Sequence, residues 1–172
     1  MQERSGAVTF KGSPLTLLGP EVQPGQQAPD VALLDADLAK KRLSDFPGKI
    51  RVIITVPSLD TPVCDAEVRA FNRAATGMGE DVVVLAVSMD LPFAQARWCA
   101  GAGIDRVTTL SDHREAAFGT AWGVLIKPLR LLARAVFVVD PAGRIAYVQV
   151  VPELTDEPDY DDVLRAVAEL RS

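Results

Sequence analysis

Cysteine, histidine and aromatic residues are all scarce in this chain, and each shortage excludes something. Among 172 residues, Cys64 and Cys99 are the only cysteines and His113 the only histidine. Two thiols and one imidazole match no four-ligand zinc pattern, so a metal is not expected. Nor do two cysteines make a structural disulfide framework; in a reducing cytosol a permanent bridge is not expected, whereas a transient catalytic one is permitted. The two tryptophans, Trp98 and Trp122, read as packing residues rather than a ligand cage. No apolar run approaches the roughly 18 residues of a membrane span, and Met1 to Val8 holds no continuous apolar segment of signal-peptide length. A cytoplasmic protein with no membrane partner is the expectation. The net charge is −5 with the charges scattered, which argues against nucleic acid and favours a small molecule or another protein as partner.

What is present suits one compact domain spanning 1–172, since 48% of the residues are hydrophobic. Residues 8–18 read as two extended runs about a Gly12-Ser13-Pro14 turn, an N-terminal hairpin. A loop rich in Pro, Gly and Gln covers 19–29, and a strand is expected over 30–35. From Ile50 the pattern becomes βαβαβ. Ile50–Val56 is a strand closed by Pro57, and a helix follows from about Pro62 to Met78, with Val63, Ala66, Ala70 and Ala74 on its apolar line and Val68 and Phe71 beside it. Residues 81–88 form a central strand covered on both faces. Asp90-Leu91-Pro92 caps a helix that carries Cys99 and runs to about Gly101. Strands at 135–139 and 145–150 are joined by a turn at Asp140–Gly143, and an amphipathic helix at 160–170 closes the chain. The pattern is α/β and implies a thioredoxin-like arrangement, with an N-terminal hairpin and a central mixed sheet flanked by helices.

The chemistry concentrates in Pro57-Ser58-Leu59-Asp60-Thr61-Pro62-Val63-Cys64. Thr61 can act as N-cap and Pro62 fits the first helical position, where a missing N–H costs nothing. Cys64 then occupies the third helical position, where unpaired N–H groups and the positive end of the helix dipole favour a thiolate. The competing assignment is an inert buried cysteine, cysteine being among the most buried residue types. Asp60 and Asp65 oppose ionisation, so a cation from elsewhere in the fold is required. Arg134, at the mouth of the apolar strand 135–139, fills that role, and so would Arg130 or Lys127. His113 lies in Ser111-Asp112-His113-Arg114, where a hydrolase-type triad would rest on coincidence alone.

Pro57-x-x-x-Thr61-x-x-Cys64 resembles the active-site motif of the peroxiredoxins. Its surroundings resemble the thiol peroxidase subfamily: Arg69-Ala70-Phe71-Asn72, the run Ser88 to Gln95 leading to Cys99, Ala133-Arg134-Ala135-Val136 and Glu157-Pro158-Asp159-Tyr160. The resemblance implies a thioredoxin fold and a cofactor-free peroxidase of the atypical two-cysteine type. Cys64 would be the peroxidatic cysteine and Cys99 the resolving cysteine, their disulfide forming within one subunit and being reduced by thioredoxin. It implies hydrogen peroxide and organic hydroperoxides as substrates, an antioxidant role and a homodimer. It also selects Arg134 as the cation, gives the Thr61 hydroxyl a place by the sulfur and the peroxide, and makes Pro57 a water-excluding wall. Trp98 departs from the pattern, which has phenylalanine before the second cysteine. If Cys64 opens one helix and Cys99 ends another, bridging them requires local unwinding. A general disulfide oxidoreductase would need Cys-x-x-Cys, and Cys64 is followed by Asp65-Ala66-Glu67. A non-catalytic thioredoxin-like binding module would leave Cys64 an ordinary, slowly reacting thiol.

Overall fold

The computed structural model describes residues 1–172 and is built around a seven-stranded mixed sheet. Its centre is three parallel strands, β5 (Ile50–Thr55), β6 (Val82–Ser88) and β7 (Val107–Ser111). Parallel neighbours need crossover connections, which α1 (Pro62–Ala75) and α2 (Pro92–Ala102) supply. On one side β10 (Ala135–Val139) runs antiparallel to β5 and pairs with β11 (Ile145–Val150). On the other side the short strands β3 (Leu33–Leu34) and β4 (Lys40–Lys41) finish the sheet. A second sheet joins the hairpin β1 (Glu3–Phe10) and β2 (Ser13–Leu18) to β8 (Leu125–Ile126) and β9 (Leu131–Leu132).

Strand periodicity divides the core in two. Val52, Ile54, Val136 and Val138 face a cluster completed by Cys64, Val68 and Phe71 of α1 and by Val163 and Val167 of α4 (Tyr160–Arg171). Ile53, Leu85, Phe137 and Val139 face the opposite cluster, with Leu17, Leu125 and Leu132 of the second sheet and Phe118 and Trp122 at α3 (Ala117–Ala121). There Trp122 stacks on Phe118 and meets Phe137 edge-on, so it is a packing residue. The central strands have no solvent-facing side, which is why they read as unbroken apolar runs. No helix is long and apolar enough to cross a membrane.

The α/β arrangement, the pair about 140–143 and the final helix stand where the sequence puts them; the hairpin begins at Glu3 rather than Val8, and the strand from Ile50 ends at Thr55 rather than Val56. Several details move. The hairpin turns at Lys11-Gly12, both with positive φ, as a two-residue turn matching strand twist requires; Pro14 lies within β2. The strand expected over 30–35 shrinks to Leu33–Leu34. Helix α1 ends at Ala75 rather than Met78, and its buried stripe is Cys64, Glu67, Val68, Phe71 and Ala75 rather than the Val63-Ala66-Ala70-Ala74 line, Ala66 being exposed. A buried glutamate hid that stripe from an apolarity count. Leu91, not Asp90, holds the N-cap position of α2, which ends against left-handed Gly103, and Phe93 is exposed. β7, α3, β8 and β9 are too short or too mixed in character to announce themselves.

Ile53, with no solvent exposure in the central strand, gauges the dependence of the scaffold on this packing. Ile53→Ala is expected to cost about 2–5 kcal/mol. Urea unfolding followed by circular dichroism checks it, the midpoint falling while the slope stays constant.

Candidate active site

Cys64 is the third residue of α1, after Pro62 and Val63, and it is completely buried. Thr61 has the extended backbone of an N-cap, but its side chain does not cap: its hydroxyl donates to the Ser58 carbonyl at 2.9 Å. Oγ1 thus spends its proton locally and keeps lone pairs free as an acceptor. Proline at the first helical position has no N–H of its own to satisfy. The loop in front is held by Asp90, which accepts from Ser58 Oγ at 2.7 Å, Leu59 N at 2.9 Å and Ser88 Oγ at 2.7 Å. That task, linking the end of β6 to the Pro57–Thr61 loop, takes Asp90 away from the α2 cap the sequence assigns it.

The required cation is Arg134, immediately before β10 and 2% exposed. Its Nη1 donates to Cys64 Sγ at 3.3 Å and to Glu67 Oε2 at 2.8 Å. Its Nε and Nη2 both donate to the Leu154 carbonyl, at 3.1 and 2.7 Å. Desolvation pulls the Arg134 pKa down, but the Cys64 sulfur and the Glu67 carboxylate outweigh it and hold it above its ordinary value. The alternatives are elsewhere: Arg130 is exposed and Lys127 pairs with Glu3 at the surface. Of the acidic neighbours, Asp60 is exposed, and Asp65 is neutralised by Arg69 at 2.9 Å.

Glu67 is the residue that apolar periodicity passes over. It lies three positions after Cys64, on the same helical face, and that spacing is the signal for it. Its exposure is zero and its Oε1 has no partner. Burial pushes its carboxyl up to about 7, an effect that Arg134 offsets only in part. In the protonated form Glu67 leaves the guanidinium charge to the sulfur alone.

The Leu154 carbonyl is positioned from the far end of the chain. Glu153 accepts from Thr9 Oγ1 at 2.9 Å, Lys11 N at 3.1 Å, Gly12 N at 2.9 Å and Thr155 N at 2.9 Å. These donors, the Thr155 and Gly12 amides foremost, hold its carboxyl down to about 2. The hairpin tip therefore fixes the loop that fixes Arg134.

Pro57, Thr61, Pro62, Val63 and Arg134 line a cavity of ≈ 290 Å³ together with Phe10, Leu129, Leu131, Leu154 and Thr155. Pro57 itself is buried. Cys99 stands apart from this group, half-buried in the last turn of α2, its thiol 3.8 Å from Thr109 Oγ1. Burial pushes the Cys99 thiol up, with the Thr109 contact opposing. Both cysteines are unbridged. Ser111, Asp112 and His113 form no relay, because the Ser111 hydroxyl donates to the Asp90 carbonyl while Asp112 accepts the Phe118 and Gly119 amides. No three His, Cys, Asp or Glu side chains converge as a metal site would demand.

Residues 23–164 match the Redoxin family. The chain belongs to that family, in its thiol peroxidase branch. Thiol peroxidase from Oceanobacillus iheyensis is 58% identical over 157 residues, 91% of this chain and 95% of that one. Thiol peroxidase from Bacillus subtilis is 53% identical over 163 residues, 95% and 97% of the two chains. A peroxiredoxin-like protein from Aquifex aeolicus superimposes with a TM-score of 0.90 at 49% identity, covering 97% of each chain. Membership in a peroxidase family makes this chain an oxidoreductase, and the thioredoxin-like arrangement is the fold its structural neighbours share.

The elevated Glu67 carboxyl has a consequence for stability. An unfolded chain releases that proton near 4.5, whereas the folded protein keeps it to about 7. The contribution of this group is therefore complete below the lower value and is lost as pH rises through the upper one. Glu67→Gln is expected to flatten the fall in unfolding free energy between about pH 5 and about pH 7, a slope of at most ~1.4 kcal/mol per pH unit, measured by urea titration at both ends.

Proposed function

We propose that this chain reduces hydrogen peroxide and organic hydroperoxides through a sulfenic acid on Cys64, resolves it as an intrasubunit Cys64–Cys99 disulfide, and is recycled by thioredoxin. The observation that carries this reading is the Arg134 guanidinium 3.3 Å from a fully buried sulfur in the first turn of a helix. The thiolate attacks the terminal peroxide oxygen; the S–O bond forms as the O–O bond breaks, the departing alkoxide or hydroxide takes the proton of the attacked oxygen, and the sulfenate left behind protonates from solvent to the sulfenic acid. Negative charge moves from sulfur to the leaving oxygen, so fixed donors beside both ends lower the barrier. Arg134 has five N–H groups. Two serve Cys64 and Glu67 and two serve Leu154, which leaves one Nη2 hydrogen for the peroxide. Thr61 Oγ1, its own O–H donated to Ser58, accepts a hydrogen bond from the O–H of the incoming hydroperoxide. Pro57 shields the site from water.

The cavity supports organic hydroperoxides among the substrates. Its walls at Phe10, Leu129, Leu131 and Leu154 are apolar, and each methylene buried there is worth about 0.8 kcal/mol.

Cys99 supports the two-cysteine reading by its position in the last turn of α2, and its elevated pKa fits a thiol that becomes reactive on leaving its pocket. Disulfide geometry requires Cα atoms within roughly 7 Å, so the first turn of α1 and the last turn of α2 must unwind to meet.

The deciding experiment follows NADPH oxidation with thioredoxin, thioredoxin reductase and a hydroperoxide. Cys64→Ser is expected to abolish turnover. Cys99→Ser is expected to keep the first oxidation, read as sulfenic acid by mass spectrometry, and to lose thioredoxin-supported cycling; full cycling would remove the resolving role. Arg134→Ala, made in a Glu67→Gln background so that no lone carboxylate remains buried, is expected to slow the first oxidation by roughly 10²–10³-fold. Stopped-flow oxidation measures it, and a rate within a few-fold of the Glu67→Gln parent would take Arg134 out of the reaction.

A further inference from the structure

The residue after Cys64 and the residue before Cys99 hold one another. Trp98 Nε1 donates to Asp65 Oδ1 at 2.9 Å. Arg69, one turn along α1, donates its Nε to Asp65 Oδ2 at 2.9 Å and its Nη1 to the carbonyl of Ala102, the last residue of α2, at 3.3 Å. The same guanidinium lies 6.0 Å from the centre of the Trp98 ring. Each oxygen of Asp65 is thus occupied, one from each cysteine-bearing helix, and Arg69 reaches α2 at two points. All three side chains border one open groove between the start of α1 and the end of α2. The attack of Cys64 on a peroxide uses none of these contacts.

Disulfide formation does disturb them. The Cys99 sulfur attacks the sulfur of the Cys64 sulfenic acid; the S–S bond forms, the S–O bond breaks, and the oxygen leaves as hydroxide to become water with the Cys99 proton. No further oxidant is needed. The two sulfurs start from partners on different strands, Cys64 against Arg134 before β10 and Cys99 against Thr109 of β7. β5 and β6 lie between those strands, a separation of three strand spacings or roughly 14 Å. The segments that must leave their places are the ones Asp65, Trp98 and Arg69 fasten together.

We propose that the Asp65–Trp98–Arg69 clasp is a brake on resolution: it holds both helices in the peroxide-reactive arrangement and so sets how long the Cys64 sulfenic acid persists. This rests on the resolving role of Cys99 given above. The three are positioning residues, acting through the two helix ends. The indole N–H is the particular contribution of tryptophan, because phenylalanine would keep the ring over Arg69 and lose the bond to Asp65. A longer-lived sulfenic acid meets a second hydroperoxide more often, which adds its terminal oxygen to the sulfur, releases an alcohol and leaves a sulfinic acid. The brake therefore raises the loss of enzyme at high peroxide.

Trp98→Phe tests this directly. Reduced wild-type protein and the variant are mixed with one equivalent of hydroperoxide, quenched by acid and alkylation, and resolved by mass spectrometry into sulfenic acid and Cys64–Cys99 disulfide. The first oxidation is expected to stay within about two-fold of wild type while disulfide formation accelerates about three- to ten-fold, the size of one hydrogen bond to a partly solvated carboxylate. The sulfinic fraction at excess peroxide is expected to fall with it. Arg69→Lys, which keeps a positive charge beside Asp65 but cannot hold Asp65 and the Ala102 carbonyl together, is expected to give the same split between the two steps and stands in if Trp98→Phe does not fold. Equal disulfide rates in wild type and variant would overturn the brake while leaving the resolving role intact. Absence of any Cys64–Cys99 disulfide in the wild type would instead remove the resolving role and the brake with it.

Discussion

A guanidinium taken out of water costs several kcal/mol unless its N–H groups are paired and its charge is answered. Arg134, 2% exposed, meets this condition with one carboxyl, one carbonyl and one sulfur. Moving any of the three would leave a buried charge uncompensated, so the stability of the protein and the reactivity of Cys64 depend on the same set of bonds. Glu67 is the balancing element. As a carboxylate it competes with the thiolate for Nη1; as a neutral acid it keeps the bond and yields the charge to the sulfur.

The constraint extends well beyond the site. Leu154 carries the carbonyl that chelates Arg134, and its neighbour Glu153 is tied to the tip of the N-terminal hairpin. Asp90, just after the end of β6, holds the loop that leads through Thr61 into the helix carrying Cys64. The hairpin, the connection after β11 and the β6 terminus each contribute one restraint, and none contributes a reacting atom. Preorganised donors of this kind cost no rearrangement when charge moves during reaction.

The proposed two-cysteine cycle asks the same fold to come apart locally. Cys64 is fully buried and Cys99 half-buried, the one held by Arg134 just before β10 and the other by Thr109 of β7. A rigid arrangement would serve an attack on peroxide by Cys64 and obstruct the disulfide proposed with Cys99. A bond between partly exposed side chains, such as Trp98 to Asp65, costs less to open than those of the buried Arg134 cluster.

Local chemistry in the chain is sufficient for much of this. A β-branched run closed by Pro57, then Thr61-Pro62 ahead of Cys64, determines strand, loop, helix start and a sulfur among free amides, because each signal acts within a few residues of its own backbone. The two negative neighbours of Cys64 imply a cation, and an arginine opening an apolar strand is a natural source. The sequence could not decide which cation arrives, since Arg134 reaches the sulfur only through the antiparallel pairing of β10 with β5. Nor could it show that Glu67 is buried, that Asp90 leaves the α2 cap to hold a loop, or that Trp98 bonds to Asp65. Those outcomes depend on side chains distant in sequence meeting in a water-poor interior, where pairing and burial, rather than local propensity, set the energies.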